Sequence, residues 1–408
     1  MADSHDIVIV GGGMVGASLA AALAPLSLRI AVVEAWPPAS EAQPSYDDRA
    51  TAVAQGSRRI FDAMGCWRPL EAAAIPICRI HVSDRGHFGF TRMDCRDHGL
   101  EALGYVIENR VIGPALWERI GTHDNVQLLC PARVTALAVS DAGAEVTISR
   151  EDDAEQTLNA ALVIAADGAR SPLRSMAGME NDVHDYGQMA IIANVTTSQP
   201  HANEAFERFT DQGPLAMLPM AGQRCSLVWT MATGPAEQCL ASPEEAFLDD
   251  LQQAFGFRLG RIERVGKRQS YPLTLVRART QTSPRVALIG NAAHALHPVA
   301  GQGFNLGLRD VAALAEVLAE AKRDGADLGS QTVLDTYARW RREDHERVIT
   351  MTDSLVRLFT NPLGPVKVAR ALALLGLDLL PTAKAGFVRQ TTGLAGRLPR
   401  LARGLPVI

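Results

Sequence analysis

The sequence predicts an α/β fold with three parts: a domain built on a parallel sheet, an inserted and mostly antiparallel β region, and a helical C-terminal segment. Three observations support this prediction. The chain opens with a strand, a glycine-rich turn and a helix. Two later apolar strands, at residues 162–166 and 285–289, also run into loops of small residues. Residues 181–275 lack that pattern and alternate short β-like runs with turns, which is typical of an antiparallel sheet.

The opening segment carries the fingerprint of a Rossmann-like dinucleotide-binding unit. Residues 6–10 form the β-branched apolar run of a buried parallel strand, residues 11–16 read GGGMVG, and residues 17–26 have helical composition. The first glycine allows a tight turn, the third lets the backbone approach a pyrophosphate, and the last lets the helix pack on the strand. The helix N-terminus offers free N–H groups to phosphates. The predicted contacts are Gly11, Gly13, Met14, Val15 and Gly16.

A glutamate at the end of the second strand predicts the kind of cofactor. Residues 29–33 form an apolar run that ends in Glu34, 21 residues after Gly13. A carboxylate at this point accepts hydrogen bonds from the adenosine ribose and repels a 2′-phosphate. The unit therefore favours FAD or NAD over NADP, and a glycine-rich turn without a ligand is the alternative.

Two downstream junctions place further polar groups where strands end. Residues 162–166 lead into Asp167 and Gly168, and residues 285–289 lead into Asn291 and a glycine-rich loop. A helix follows that loop, so its N-terminus can hold a second anion or a polarised carbonyl oxygen. Three such junctions converge on one ligand most simply if that ligand is long.

Composition and charge exclude several classes of protein. The 408 residues are 47% hydrophobic and 21% charged, which is typical of a globular chain with more than one domain. The net charge of −5 argues against a nucleic-acid partner. The six cysteines stand singly, without the spacing of a metal site or a redox dithiol, so we expect reduced thiols and no metal. No signal sequence or membrane-spanning run is evident, and the expected compartment is the cytoplasm.

The whole pattern resembles the class A flavoprotein aromatic hydroxylases of the para-hydroxybenzoate hydroxylase type. Their three marks occur in order over about residues 5–345: the glycine motif with Glu34, the Asp-Gly pair at residues 167–168, and the glycine loop at residues 290–307. Asn291 departs from the aspartate that is usual in the family, but its carbonyl oxygen accepts the same hydrogen bond. Segments similar to the ubiquinone-biosynthesis hydroxylases, above all those acting on 2-polyprenyl-6-methoxyphenol, lie at residues 47–51, 82–87, 108–112, 290–293 and 397–404.

The resemblance implies a reaction and its participants. It implies an FAD-dependent monooxygenase that uses NADH or NADPH and O2 to hydroxylate the ring of a polyprenylated phenol in ubiquinone biosynthesis, by way of a flavin hydroperoxide. The open alternatives are another FAD-dependent aromatic hydroxylase, a non-catalytic flavin-binding subunit of the pathway complex, and an NAD-dependent dehydrogenase.

The resemblance also implies site residues. Arg49 and Arg110 are expected beside the flavin, and the alternative for each is a solvated surface arginine. The loop at residues 298–303 is expected to face the isoalloxazine ring and to stabilise negative charge there. For His294 a structural role is the more frequent alternative to a catalytic base. The remaining cofactor contacts are Asn291, Gly303, Phe304 and Asn305, and the expected catalytic positions are Pro298, Gly301 and His297.

The chain is expected to divide into two domains and a C-terminal segment. The FAD-binding domain is expected over residues 1–75, 100–180 and 276–345, the substrate domain over 76–99 and 181–275, and the helical C-terminal segment over 346–408.

Residues 361–408 contain seven basic residues and one acidic residue. A polyprenylated phenol resides in the bilayer, so we expect this stretch either to pack on the core or to contact the inner face of the membrane or another enzyme of the pathway. Its removal is expected to leave FAD bound.

Overall fold

The computed structural model describes residues 3–37, 49–150, 154–361 and 363–408, which form twenty strands in three sheets and eleven α-helices. The strands are β1 (Asp3–Val10), β2 (Ile30–Val33), β3 (Ala50–Ala54), β4 (Ile75–Ile77), β5 (Arg79–Asp84), β6 (Phe90–Asp94), β7 (Gly104–Glu108), β8 (Val126–Leu129), β9 (Ala132–Ser140), β10 (Gly143–Arg150), β11 (Glu155–Ala165), β12 (Asn181–Thr197), β13 (Glu204–Thr210), β14 (Gly213–Pro219), β15 (Arg224–Ala232), β16 (Ile262–Val265), β17 (Gln269–Ala278), β18 (Thr282–Ser283), β19 (Val286–Leu288) and β20 (His294–Ala295). The helices are α1 (Met14–Leu23), α2 (Gln55–Ala63), α3 (Arg68–Glu71), α4 (Asn109–Gly121), α5 (Pro172–Met176), α6 (Thr233–Ala241), α7 (Glu244–Phe255), α8 (Gln302–Arg323), α9 (Gln331–Thr360), α10 (Gly364–Leu379) and α11 (Pro381–Thr391).

The first sheet has eight strands and contains the predicted parallel unit. Its order is β18-β19-β11-β1-β2-β8, and β10 joins β11 to β9. β1 runs parallel to β2 and β11, and β11 runs parallel to β19. In register, Val10 lies beside Val33 on one side and Ala165 on the other, and Ala165 lies beside Leu288. The three predicted loops therefore leave the sheet at the same edge, where open α/β sheets bind their ligands.

Helices α1 and α8 cover one face of this sheet. Both are buried along most of their length, because their side chains share one core cluster with those of the parallel strands. The close approach of α1 depends on glycine: a Cβ atom at Gly16 would overlap the carbonyl oxygen of Gly11. This packing fixes the N-terminal ends of both helices near the loops that follow the parallel strands.

The second sheet has nine strands and is antiparallel except where β13 runs beside β5. Its order is β20-β17-β12-β15-β14-β13-β5-β6, with β16 attached to β12. One face packs on α6 and α7, and the other face is turned toward the first sheet's loops. The predicted α/β class with an inserted antiparallel sheet is confirmed. The exact domain boundaries remain a prediction. A small third sheet has the order β3-β7-β4.

The C-terminal segment folds back over both large sheets. Arg370 on α10 makes a buried ion pair with Asp84 at the end of β5, with Nε 2.6 Å from Oδ2. α10 also lies against Gly89, where an added Cβ atom would be 2.5 Å from the backbone of Ala371. Farther on, Leu401 joins the core cluster under α8. This end of the chain therefore supplies core side chains, which favours the interpretation that it packs on the core, and the retention of FAD after its removal stays a prediction.

Among the residues that the structure describes, no single helix is long and apolar enough to cross a membrane. α10 and α11, bent by 96°, pass that test of length and composition only when they are taken together.

Candidate active site

A cavity of about 1040 Å³ extends from the loops of the parallel sheet to the open face of the antiparallel sheet. This volume is at the upper end of the range for small-molecule sites, so it suits a large ligand or two ligands together. The predicted site residues that line it are Gly11, Gly13, Met14, Val15, Glu34, Arg49, Asp167, Gly168, Asn291, Pro298, Gly301, Gly303, Phe304 and Asn305.

Three described residues of the predicted set do not line the cavity. Gly16 lies behind it and allows α1 to approach the strand. The guanidinium of Arg110 pairs with Glu108 and is more than half exposed. His297 is buried with its ring edge against Tyr186, and its Nδ1 accepts a hydrogen bond from the N–H of Val299 at 3.2 Å. Burial lowers the pKa of His297 to about 4, so its ring is neutral near neutral pH.

Glu34 is held at the edge of the cavity beside the first glycine loop. Its Oε2 accepts a hydrogen bond from the N–H of Gly12 at 2.6 Å, and its Oε1 accepts one from the N–H of Trp36 at 2.9 Å. Each carboxylate oxygen keeps a further lone pair for a ligand hydroxyl. α1 begins after Gly13, and no described side chain caps it, so its first N–H groups are available to phosphate oxygens.

The Asp-Gly junction presents an unsatisfied acceptor. Asp167 Oδ2 accepts a hydrogen bond from the N–H of Leu173 at 3.0 Å, whereas its Oδ1 is buried and has no hydrogen-bond partner among the described residues. Burial raises the pKa of this carboxyl. Gly168 has φ +88°, and a Cβ atom there would meet no described atom within 4 Å. A buried acceptor beside open space indicates a ligand that donates a hydrogen bond, as the hydroxyl and amide groups of FAD do. These residues fit FAD.

A buried aspartate that was missed in the sequence holds the start of the third loop. Asp310 accepts hydrogen bonds from the N–H of Gly290 at 3.1 Å, His294 Nε2 at 2.7 Å, His345 Nε2 at 2.6 Å and Arg341 Nε at 2.8 Å. Burial acts to raise the pKa of Asp310, but the two histidines and the arginine hold it well below its usual value. His294 therefore acts as a donor in a structural network. This carboxylate is already saturated, so the cluster needs no metal ion.

The loop that leads into α8 is tied to the third sheet through Asn305. Its Nδ2 donates to the carbonyl oxygens of Ala52 at 2.8 Å and Gly301 at 2.7 Å, and its Oδ1 accepts from the N–H of Ala54 at 2.8 Å. Gly301 has φ +59° and precedes α8, whose N-terminus no described side chain caps. This helix end therefore presents free N–H groups at the cavity. Arg49 lies on the same wall, with its guanidinium carbon 4.7 Å from the ring centre of Tyr271. Residues 47–48 of its segment lie outside the described residues.

The other half of the cavity is an apolar chamber. Its floor is the open face of the antiparallel sheet, and its roof comes from α9, α10 and α11. The lining side chains include Ile80, Val82, Met93, Ile192, Phe209, Leu218, Val228, Leu355, Phe359, Leu374, Leu377 and Phe387. Among the described lining residues of this half, Glu207 on β13 is the one acidic side chain. Sequence analysis missed it, although alternation along β13 places residues 205, 207 and 209 on one face.

Comparisons with known proteins agree with this geometry. The family model described as "FAD binding domain" matches residues 4–352. The ubiquinone hydroxylase UbiL of Rhodospirillum rubrum is 41% identical over 405 residues, which cover 98% of this chain and 93% of that protein. The 3-demethoxyubiquinol 3-hydroxylase of Escherichia coli is 32% identical over 95% of this chain and 98% of its own. The crystal structure of p-nitrophenol 4-monooxygenase PnpA from Pseudomonas putida has the same fold, with a TM-score of 0.81 at 20% identity, over 97% of this chain and 100% of that one.

Proposed function

The chain belongs to the FAD binding domain family, and from this premise we propose that it is an FAD-dependent monooxygenase that hydroxylates the ring of a polyprenylated phenol in ubiquinone biosynthesis. One observation carries the proposal: a single cavity joins a cofactor cradle to an apolar chamber that is large enough for an aromatic ring with a prenyl chain. The cradle consists of the glycine loop, Glu34, Asp167, Asn291 and the N-termini of α1 and α8. The relatives named for ubiquinone hydroxylation are similar over nearly the whole chain, including the part that forms this chamber.

The residues of the cradle would hold FAD along its length. The glycine loop and the N-terminus of α1 would bind the pyrophosphate, and Glu34 would bind the ribose. Asp167 and Asn291 would accept hydrogen bonds from the middle of the cofactor. The loop at residues 298–303 and the N-terminus of α8 would lie at the ring system and stabilise negative charge there. When bound, FAD supplies the redox chemistry that uses electrons from NADH or NADPH to activate O2.

The chamber would position the phenol and keep water away from the reaction. Its wall is built from aliphatic and aromatic side chains, so a prenylated ring gains free energy on entry while water does not. Exclusion of water prevents unproductive breakdown of the activated oxygen. By this reasoning the chain's own contribution is orientation and desolvation. The specific substrate that we propose is of the 2-polyprenyl-6-methoxyphenol type.

The proposal is tested by following labelled oxygen into a product. The purified yellow protein is incubated with 18O2, NADH or NADPH, and a short-chain 2-polyprenyl-6-methoxyphenol, and the product is analysed by mass spectrometry. We expect one labelled oxygen atom on the ring. Labelling of another phenol only would indicate a different aromatic hydroxylase. Absence of labelled product from every polyprenylated phenol would indicate a non-catalytic flavin-binding subunit.

We further propose that α10 and α11 contact an anionic membrane surface, so that the lipid phenol reaches the chamber from the bilayer. Leu374 and Leu377 face the chamber from α10. The outward apolar residues of α10 and its flanks are Leu363, Val368, Leu372, Leu379 and Leu380, each more than half exposed. The basic residues Lys367, Arg370 and Lys384 of the tail are paired with acidic residues, so the leucines would supply most of the affinity for the membrane. The basic residue Arg389 on α11 is exposed and would contact lipid headgroups.

Vesicle co-sedimentation tests this surface. The double substitution Leu372→Ser and Leu379→Ser should weaken binding to vesicles of phosphatidylcholine and phosphatidylglycerol by about tenfold or more, because each buried methylene contributes about 0.8 kcal/mol. Val183→Ser and Phe257→Ser, which change equally exposed apolar residues elsewhere, serve as matched controls and should bind as the wild type does. Equal binding by all variants would contradict the membrane role and favour another enzyme of the pathway as the partner.

A further inference from the structure

We propose that Glu207 is a catalytic residue that accepts the hydrogen bond of the substrate's phenolic hydroxyl and takes its proton while the ring is hydroxylated. The inference rests on the proposed function, since it requires a phenol in the apolar chamber. It identifies the group that recognises the hydroxyl, which the cofactor cradle by itself does not provide.

Glu207 lies near the middle of the chamber floor. Its Cα partners in the sheet are Val82 on β5 and Ala216 on β14. The pairing continues outward on both sides, from Val82 to Thr91 and from Ala216 to Val228 and Ile192. The resulting row runs across six strands, and each of its members lines the cavity: Thr91, Val82, Glu207, Ala216, Val228 and Ile192. In this row, the carboxyl group of Glu207 is accompanied by four apolar side chains and one threonine.

The carboxyl group of Glu207 has no hydrogen-bond or ion-pair partner in the part of the chain that the structure describes. It keeps some accessible surface, and that surface faces the cavity. A carboxyl group in an apolar site is costly unless it is paired, so an unpaired one that faces a ligand cavity indicates a partner on the ligand. A phenol supplies a hydroxyl donor of the right chemistry together with an apolar ring that fills the surroundings.

Other charged and titratable groups on the elements packed against Glu207 are engaged elsewhere or lie on the opposite face of the sheet. Three of the acidic groups are held in ion pairs: Glu204 with Arg79, Asp84 with Arg370, and Asp353 with Arg357. Tyr186 donates a hydrogen bond to Asp353, and Arg92 donates one to His81. His81 and Arg208 lie on the opposite face of the sheet. The remaining charged residues on the cavity wall, Glu34, Arg49, Arg133 and Asp167, belong to the cofactor half. No other described acidic group competes for the phenol within the chamber.

The environment also gives the carboxyl group a useful basicity. Burial raises the pKa of Glu207 from its usual 4.5 to about 7. A general base is most effective when its pKa lies near the working pH, because it is then both available and strong enough to take a proton. An ordinary solvated glutamate is a much weaker base.

The proton transfer balances with the hydroxylation. As the new bond forms between a ring carbon and the incoming oxygen atom, the electron pair of the phenolic O–H bond is released into the ring, and a carbonyl forms at the carbon that bears the phenolic oxygen. The proton of that O–H bond goes to the Glu207 carboxylate. Loss of the ring C–H proton then restores the aromatic ring, and the second hydroxyl group is in place. O2 is the oxidant and NADH or NADPH the reductant, as in the proposed function, and the other oxygen atom leaves as water.

Binding to the oxidised FAD-loaded protein provides a test that does not depend on turnover. The probes are a short-chain prenylated 2-methoxyphenol and its methyl ether, which lacks the hydroxyl, and binding is followed by the change in flavin absorbance. The wild type should bind the phenol about tenfold or more tighter than the ether, because a hydrogen bond to a charged acceptor is lost with the ether. This preference should weaken below about pH 7, where the carboxylate becomes protonated.

Glu207→Gln should abolish most of this preference and its pH dependence, and should slow hydroxylation by about a hundredfold or more. Glu204→Gln, on the same strand but paired with Arg79 outside the cavity, is the matched control and should behave as the wild type. Glu207→Asp should recover part of the preference, and it replaces the glutamine variant if that variant fails to fold.

Two failures are distinguishable. If the wild type hydroxylates the phenol and Glu207→Gln keeps the same preference, pH profile and rate, the role of Glu207 is refuted while the proposed function stands. If the wild type does not distinguish phenol from ether and makes no labelled product, the proposed function is refuted and the role of Glu207 with it.

Discussion

Replacing Glu207 with glutamine should change how the stability of the protein depends on pH, even without substrate. Burial raises the pKa of this carboxyl from 4.5 to about 7. One pKa unit corresponds to about 1.4 kcal/mol, so ionised Glu207 costs the folded state up to about 3 kcal/mol. Because the carboxyl faces an open cavity, solvent reduces this cost, and we expect about 2 kcal/mol.

The sign follows from proton binding. Between about pH 4.5 and pH 7 the folded protein holds the Glu207 proton and the unfolded chain does not, so this residue makes stability fall as pH rises through that range and leaves it constant above. The glutamine variant lacks this contribution. It should be more stable than the wild type by about 2 kcal/mol near pH 8 and nearly equal to it near pH 4.

Urea unfolding with saturating FAD at several pH values measures this difference. Glu204→Gln is again the control, because its carboxylate is paired with Arg79. If the free energies of unfolding of the wild type and Glu207→Gln change in parallel between about pH 4.5 and pH 8, the pKa of the Glu207 carboxyl group is not raised. The argument from its apolar surroundings is then wrong.

Three further substitutions test residues that support the structure of the site. Asp84→Ala should lower the free energy of unfolding by about 3–5 kcal/mol, because it leaves the buried Arg370 guanidinium without its carboxylate; a loss below about 1 kcal/mol in urea unfolding would contradict the pair. Gly11→Ala should yield colourless protein, because Gly11 has φ +102° and a Cβ atom would lie 2.5 Å from backbone; Gly121→Ala, with no described atom within 4 Å of the added carbon, should purify yellow. Asp310→Asn should lower both the thermal midpoint and the affinity for FAD, since the third loop loses its charged acceptor; unchanged flavin titration and melting curves would refute that role.

Local sequence features were enough to predict the cofactor half of the site. A buried parallel strand is a continuous apolar run, and a loop that approaches a phosphate needs glycine, so both features are local and can be recognised without the fold. The carboxyl ends of parallel strands meet at one edge, and for this reason Asp167 and Asn291 could be expected near the glycine loop. The structure brings them to the same cavity wall.

Local sequence could not distinguish the roles of single polar residues. Arg49 and Arg110 were expected together beside the flavin, but only the first lines the cavity. His297 likewise lies in a promising motif, yet its ring is turned into the protein against Tyr186. Whether a side chain faces a ligand or its own scaffold depends on backbone direction and on neighbours that the motif does not contain.

The apolar chamber and the position of the tail could not be predicted from local sequence, because both depend on contacts between distant segments. The neighbours of Glu207 come from strands at residues 79–84 and 213–219, and Arg370 meets Asp84 across 286 positions of the chain. The basic tail had two interpretations because composition does not show which charges are paired or buried. The free energy of a carboxyl group depends on whether water or another charge reaches it, and for Glu207 and Asp84 that is set by segments distant in sequence.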